Sequence, residues 1–422
     1  MLPVVGVARR DVTPPLTTHA RSWGAAPSDF MSGRHQPLTL TALTLGSTAV
    51  LVALDGSWWR TKADEERVRL SAAQTLGMPP EAIFLALSHT HAGPTLHADV
   101  PGGAEYLTTL RDALVAAVTE ARAAAEHTLI EWTTGWCNLA TNRDLPEPNG
   151  PGTLVGWNPD LPADNTVSIA RISDTRGRPF AILVHYACHP TTLGPENRVL
   201  SPDYIGPMRE VIEKATHVPC LFLQGASGEL APAEQYSADT RVAERHGRQL
   251  GYAVLSALEG MGRCNNQLIY DRRLDSGAPL ALHRWEVKKT GEMWTGEWER
   301  KDISLALKPE ISAVAGAEGD EAAQERAHRA ALIRASVGDG PETTVSLHTM
   351  TLGHRTLVGI PGEAYSTLQQ DVDKERKRLI CNCVNGWLGH FPPRAIYAAP
   401  AVYAARTISL SRQAVMRHWC KA

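Results

Sequence analysis

Three short segments hold side chains whose types and spacing could do chemistry. The first, Ser88-His89-Thr90-His91-Ala92-Gly93-Pro94, follows directly on an apolar run at 82–87. Side chains alternate across a strand, so residues two apart face one way, and the pattern predicts that His89 and His91 point together at a strand end. A His-x-His pair there suits a metal, because imidazole is a good zinc ligand, although paired histidines also occur as hydrogen-bonded loop residues. The second, Val184-His185-Tyr186-Ala187-Cys188-His189-Pro190-Thr191-Thr192, closes another apolar strand. Pro190 favours a bend at the terminus, which makes His189 the site candidate, while His185 reads as a core or sheet-face histidine. The third, Gly359-Ile360-Pro361-Gly362-Glu363, holds a carboxylate just past a strand through a Pro-Gly turn, although a nearby helix start would also explain a glutamate there. Catalytic zinc takes nitrogen and carboxylate ligands around an open position. These segments supply such ligands from distant points of the chain, all at strand ends, where α/β enzymes collect functional groups.

The positioning elements follow from periodicity. Residues 40–54 read as two strands joined at Gly46-Ser47, 63–76 as a helix, 82–88 as a strand and 104–126 as an Ala-rich helix. Strands then fit 166–173, 179–187 and 219–224, and helices fit 206–215 and 238–258. Such alternation predicts an α/β fold, a layered mixed β-sheet flanked by helices, in a single domain over 1–422. A peripheral lobe is expected at 276–340, where Trp285, Trp294 and Trp298 stand among charges in hairpin-like alternation and read as packing residues. Beyond it come an exposed helix at 315–336, strands at 343–351 and 355–360, and a helix at 364–378.

Of 422 residues, 42 are Lys or Arg and 45 Asp or Glu, a formal charge of −3, so no basic footprint for nucleic acid exists. No secretion signal and no apolar window of the ~18 residues a membrane span needs are seen, so a cytoplasmic protein is expected. The seven scattered cysteines read as reduced thiols, and Cys381-Asn-Cys383 lacks the second pair of a thiolate zinc site. Homo-oligomerisation stays open.

Read together, Gly6-Val-Ala-Arg-Arg-Asp-Val-Thr-Pro-Pro, His35-Gln36, Ser88-His-Thr-His-Ala-Gly-Pro, Asn142-Arg143, Ala187-Cys-His-Pro-Thr, Ser201-Pro-Asp203-Tyr-Ile-Gly206, Phe222-Leu-Gln-Gly-Ala-Ser-Gly-Glu-Leu-Ala-Pro232 and Pro361-Gly-Glu363 run in an order that resembles the catalytic domain of neutral, non-lysosomal ceramidases. The resemblance implies a zinc amidase with one Zn2+ per chain, bound by His89, His189 and Glu363. It puts His91 beside the reacting carbonyl as general acid/base and Arg143 on the polar end of the substrate. The best register places His390 where the family has a ligand tyrosine, and histidine keeps a metal site there. Tyr403 matches a later tyrosine that touches substrate. Where the family pattern has an essential serine before proline, this sequence has Ala231, in Gly228-Glu229-Leu230-Ala231-Pro232. Ser227 reads as a turn serine, and the turn is expected to offer amides to an oxyanion, with Glu229 orienting them or a water. The sequence ends where the catalytic domain of ceramidases ends, so the expected substrate is small, polar and soluble rather than membrane ceramide. Hydrolysis of an amide is the first reading. Ester or lactone hydrolysis by the same site, and a non-catalytic metabolite-binding role, are the alternatives.

Overall fold

A computed structural model describes residues 2–150, 152–288, 297–306, 321–338, 340–373 and 375–393. Its main sheet has eight strands in the order Cys220–Gln224, Pro179–Tyr186, Thr166–Asp174, Glu126–Trp136, Val4–Asp11, Thr39–Leu45, Ala49–Leu54 and Ile83–Leu87. Only the outermost pair at each edge is parallel, the inner neighbours being antiparallel. The predicted layered mixed sheet is therefore present. The predicted strands and helices recur within a few residues, but Val4–Asp11 and Glu126–Trp136 were not anticipated. The latter exposes Glu126, His127, Thr134 and Trp136 but leaves 131–133 half-buried in a row, which breaks the clean alternation that marks a half-buried strand.

Helices Lys62–Leu76 and Gly103–Ala123 pack against one half of the sheet, around Leu40, Val52, Leu85 and Leu110. Helices Ile205–Thr216 and Thr240–Gly260 cover the other half, around Val184, Phe222, Ile212 and Leu250. The first helix starts in a capping box, in which Thr61 and Asp64 exchange side-chain and backbone hydrogen bonds, and stops at Gly77, whose φ of 63° a residue without Cβ adopts freely. Asp55, at the end of strand Ala49–Leu54, is buried and receives both arms of the buried Arg209 guanidinium at 3.0 and 2.6 Å, tying the two halves together.

A second sheet, ordered Trp298–Ala306, Glu342–Leu352, Arg355–Gly359 and Arg378–Cys381, lies on the opposite face. Leu352, Leu357 and Leu379 meet Leu51, Leu183 and Leu221 there. The helix predicted at 364–378 is only Ser366–Val372, because the Asp373 carboxylate accepts the Glu375 and Arg378 N–H groups at 2.9 and 2.7 Å and turns the chain. Residues 381–385 then close the gap between the edges of the main sheet. Asn382 N–H donates to the Gln224 carbonyl at 2.8 Å, Leu87 N–H to Cys383 at 3.2 Å and Asn385 N–H to Leu85 at 3.0 Å. The ends of strands far apart in the sheet order thus share one neighbour.

In the predicted peripheral region, strands Asn266–Asp275 and Pro279–Val287 form a two-stranded ribbon that is largely exposed. Trp285 is half-buried, and Trp298 packs against the main core, as a packing role requires. Trp294 lies outside the described residues. Among the described residues, no helix is long and apolar enough to cross a membrane.

Candidate active site

Strand Ile83–Leu87 delivers His89, but not by continuing. Ser88 N–H makes a last bond to the Leu54 carbonyl at 2.8 Å, and His89 then takes a φ of 68°, a left-handed conformation that disfavours a residue with a Cβ. The predicted strand alternation therefore does not operate here. The turn still brings His89 and His91 together, with ring centroids 5.0 Å apart. His89 Nδ1–H donates to the Ser57 carbonyl at 2.7 Å, which leaves Nε2 facing Glu363 Oε1 at 3.4 Å.

His189 repeats the arrangement from strand Pro179–Tyr186. Its Nδ1–H is held by the carbonyls of Ser227 and Leu230 at 2.7 and 3.1 Å, and its Nε2 stands 2.8 Å from Glu363 Oε2. An imidazole anchored through one nitrogen is fixed in the tautomer whose other nitrogen can hold a metal. Glu363 follows the predicted Pro-Gly turn. A Cβ on Gly362 would fall 2.1 Å from the Phe391 ring and 2.5 Å from the Gly389 carbonyl, so glycine is what lets Glu363–Ala364 pair with His390–Phe391. Trp387 Nε1–H donates to Glu363 Oε1 at 2.8 Å. The ligand atoms of His89, His189 and Glu363, all buried, lie within 4.8 Å of one another. His390 is outside that set but adjacent, with Nδ1 3.4 Å from Glu363 Oε2.

The electrostatics suit a cation. Burial alone would raise the Glu363 carboxyl, but the neighbouring His390, His89 and His189 rings hold it well below the usual carboxylate range. Burial, and then Arg143, push His189 down to about 3, so its Nε2 keeps a free electron pair. Burial opposes charge on His89 while Cys383 and Glu363 favour it, and the balance lies well above the ordinary histidine value. Burial keeps the Cys383 thiol itself protonated, so Glu363 is the decisive partner. A proton on His89 Nε2 competes with a metal for one electron pair. His390 is driven down to about 4, first by burial.

His91 sits between Trp23 and Trp58, at centroid distances of 4.7 and 5.2 Å. Burial, and then His89 and His189, hold it well below the ordinary histidine value. Both its ring nitrogens are buried without a hydrogen-bond partner among the described residues. Buried polar atoms are nearly always bonded, which sets this ring apart from the anchored His89 and His189. Arg143 reaches the same space. Its Nε and Nη2 donate to the Gly228 carbonyl at 3.1 and 2.8 Å, and Nη2 lies 3.1 Å from His189 Nε2. A metal on that nitrogen would take the place of the last contact, with Arg143 still anchored by Gly228. A Cβ at Gly228 would lie 2.5 Å from the Tyr365 ring and 3.0 Å from the Glu363 carbonyl, which explains the glycine.

Glu229 is buried away from the ligand cluster. Its carboxylate accepts Ser366 N–H at 2.9 Å and the Ser366 hydroxyl, its carbonyl accepts Arg143 N–H at 2.8 Å, and burial raises its carboxyl to about 7. The amides of Gly228 and Leu230 already donate to Ala364 and Ser227, at 2.8 and 2.9 Å, so neither points at an oxyanion. Ser227 is a buried turn serine bonded to Gln224 at 2.6 Å. Ala231 pairs with Thr141 in a buried two-strand contact. His185 is a core residue, with Nε2 2.8 Å from the Ile380 carbonyl. Tyr403 lies outside the described residues. Sequence reasoning missed Trp23, Trp58 and Trp387. The signals were Trp58 just after the strand end at Asp55-Gly56 and Trp387 three residues before His390.

No protein-family model matches the sequence, and comparison with curated proteins gives no match. Among solved structures, the fold superposes on a neutral ceramidase from Pseudomonas aeruginosa with a TM-score of 0.63 at 17% identity, over 94% of this chain and 70% of that one. A ceramidase complexed with C2 gives a TM-score of 0.67 at 15% identity, over 97% of this chain and 72% of that one. The chain thus shares its fold with these two ceramidase structures.

Proposed function

We propose that the protein is a zinc-dependent hydrolase that cleaves the amide C–N bond of a small substrate, with His89, His189 and Glu363 as ligands and His390 completing the set. The observation that carries this reading is the convergence of two imidazole Nε2 atoms on one buried carboxylate, each ring fixed through Nδ1 by backbone carbonyls. That donor set, two histidines and a glutamate, fits catalytic zinc. When bound, zinc supplies a Lewis acid that polarises a carbonyl and makes water nucleophilic at neutral pH.

The chain's own residues supply the rest. Neutral His91 accepts the proton of the attacking water on a ring nitrogen and returns it to the departing amine nitrogen. Trp23 and Trp58 exclude bulk water from that ring. Arg143 holds the polar end of the substrate, and Glu229 steadies Arg143 through the main chain. Ester or lactone hydrolysis is a second reading, since the same site suits either carbonyl and an alcohol leaves with less help than an amine. Matched amide and ester substrates separate the two.

The test is elemental analysis of freshly purified protein beside His189→Ala. About one zinc per chain is expected, lost in the variant, whereas His91→Ala should keep zinc and lose about 10²–10⁴ in kcat. Wild-type protein without zinc would overturn the reading and favour a metabolite-binding role.

A further inference from the structure

The side chains of the candidate metal centre are closed off from solvent. His89, His189, Glu363 and His390 are each at most 4% exposed. His91 is half-buried as a residue, yet both its ring nitrogens are shut in. A cavity of about 10 Å³ lies between the 20–31 loop and the 194–198 segment, with Phe30, Met31, Pro195 and Asn197 in its walls, and it ends against Trp23 and His91. Phe30 is exposed, so the cavity begins at the surface. Its volume holds about one water molecule, so anything larger has to move a wall.

The two indoles that flank His91 are held differently. Trp58 is buried, with the guanidinium carbons of Arg60 and Arg329 4.2 and 5.0 Å from its ring centroid and the Trp387 ring at 5.6 Å. Trp23 has lighter fixings, meeting the Tyr236 ring edge-on at 5.5 Å and His91 at 4.7 Å. Its backbone sits in a turn, where its carbonyl accepts Ala26 N–H at 3.1 Å. Its Nε1–H, in contrast, is buried with no partner among the described residues. A buried indole N–H normally finds a partner, and an unmade bond costs free energy that rotation of the ring into water would recover. Trp23 thus closes the cavity in a position that hydration of its own N–H opposes.

Resting on the metal reading of the site, we infer that Trp23 is its gate, the side chain whose rotation away from His91 lets metal and substrate in. Trp58 is the fixed jamb and the turn at Trp23 the hinge post. A gate slows entry and exit alike and leaves affinity alone, whereas a residue that supports the ligands changes affinity.

Zinc uptake by metal-free protein and zinc release into excess chromogenic chelator are timed for wild type, Trp23→Ala and Trp23→Phe. Aromatic pairs of the kind Trp23 makes keep the closed form ahead by roughly 10–100-fold. Trp23→Ala should accelerate uptake and release together by that factor, with a dissociation constant within about twofold of wild type. Trp23→Phe, a smaller plug, should fall between. Unchanged rates in both variants overturn the gate, and so does release that quickens only as affinity falls, which makes Trp23 a support for the ligands. Wild-type protein that takes up no zinc would refute the metal reading instead, and the gate is then judged with diethyl pyrocarbonate, which carbethoxylates accessible imidazole nitrogens. Faster modification of His91 in Trp23→Ala than in wild type, read by peptide mass spectrometry, supports the gate, and equal rates overturn it.

Discussion

Replacing Trp387 by phenylalanine tests whether the site is built for a metal, because it removes one hydrogen bond and little else. Trp387 Nε1–H holds Glu363 Oε1 at 2.8 Å, while the opposite oxygen faces His189. Phenylalanine keeps an aromatic ring beside Trp58, which Trp387 meets at 5.6 Å. A hydrogen bond to a charged group contributes about 1.5–3 kcal/mol, and about 1.4 kcal/mol is tenfold in affinity. Trp387→Phe should therefore weaken zinc binding by roughly 10–100-fold, the usual effect of removing a partner that orients a ligand. Competition with a chromogenic chelator at fixed pH reads the dissociation constant directly. His189→Ala, which removes a ligand rather than its support, sets the scale for complete loss. Zinc affinity of Trp387→Phe within about twofold of wild type would refute the argument that Glu363 is a ligand oriented by Trp387.

Two further predictions concern the scaffold. Arg209→Met strands the buried Asp55 carboxylate and should lower stability by about 3–5 kcal/mol in urea unfolding, and a loss under about 1 kcal/mol would show that the bidentate pair does not join the sheet halves. The Glu229 carboxyl is raised by burial from 4.5 to about 7, so the folded protein holds that proton more tightly than the unfolded chain. Its contribution is full below pH 4.5 and is lost as pH rises through about 7, an effect of about 3 kcal/mol. Glu229→Gln should flatten this fall in stability between pH 5 and pH 8, and identical slopes for the two proteins would contradict it.

Much of the scaffold was legible because its signals are local. The apolar runs at 40–54, 82–88 and 179–187 became buried strands, since nothing but burial suits such runs. Glu126–Trp136 was not legible, because its side chains do not alternate cleanly and its strand state depends on pairing with Thr166–Asp174. Candidate ligands could be read individually as types that bind metal at strand ends. Their geometry could not, since it depends on backbone carbonyls of Ser57, Ser227 and Leu230 that carry no residue-type signal.

The convergence itself illustrates the limit. Strands Ile83–Leu87 and Pro179–Tyr186 are six positions apart in the sheet order, so their ends should be remote. They meet because residues 381–385 bond to both the Leu85–Leu87 edge and the Gln224 edge, and because His89 leaves its strand in a left-handed turn. Cys381-Asn-Cys383, a Cys-x-Cys pair without the second pair of a thiolate zinc site, lies within that connector. Asn382 serves it on two sides, its N–H bonded to Gln224 at 2.8 Å and its side-chain oxygen accepting Ala364 N–H at 3.0 Å. The segment that joins the sheet edges thus also fixes the backbone beside Glu363. The motif mattered for closure rather than for its sulfur atoms, and only the tertiary pairing could reveal it.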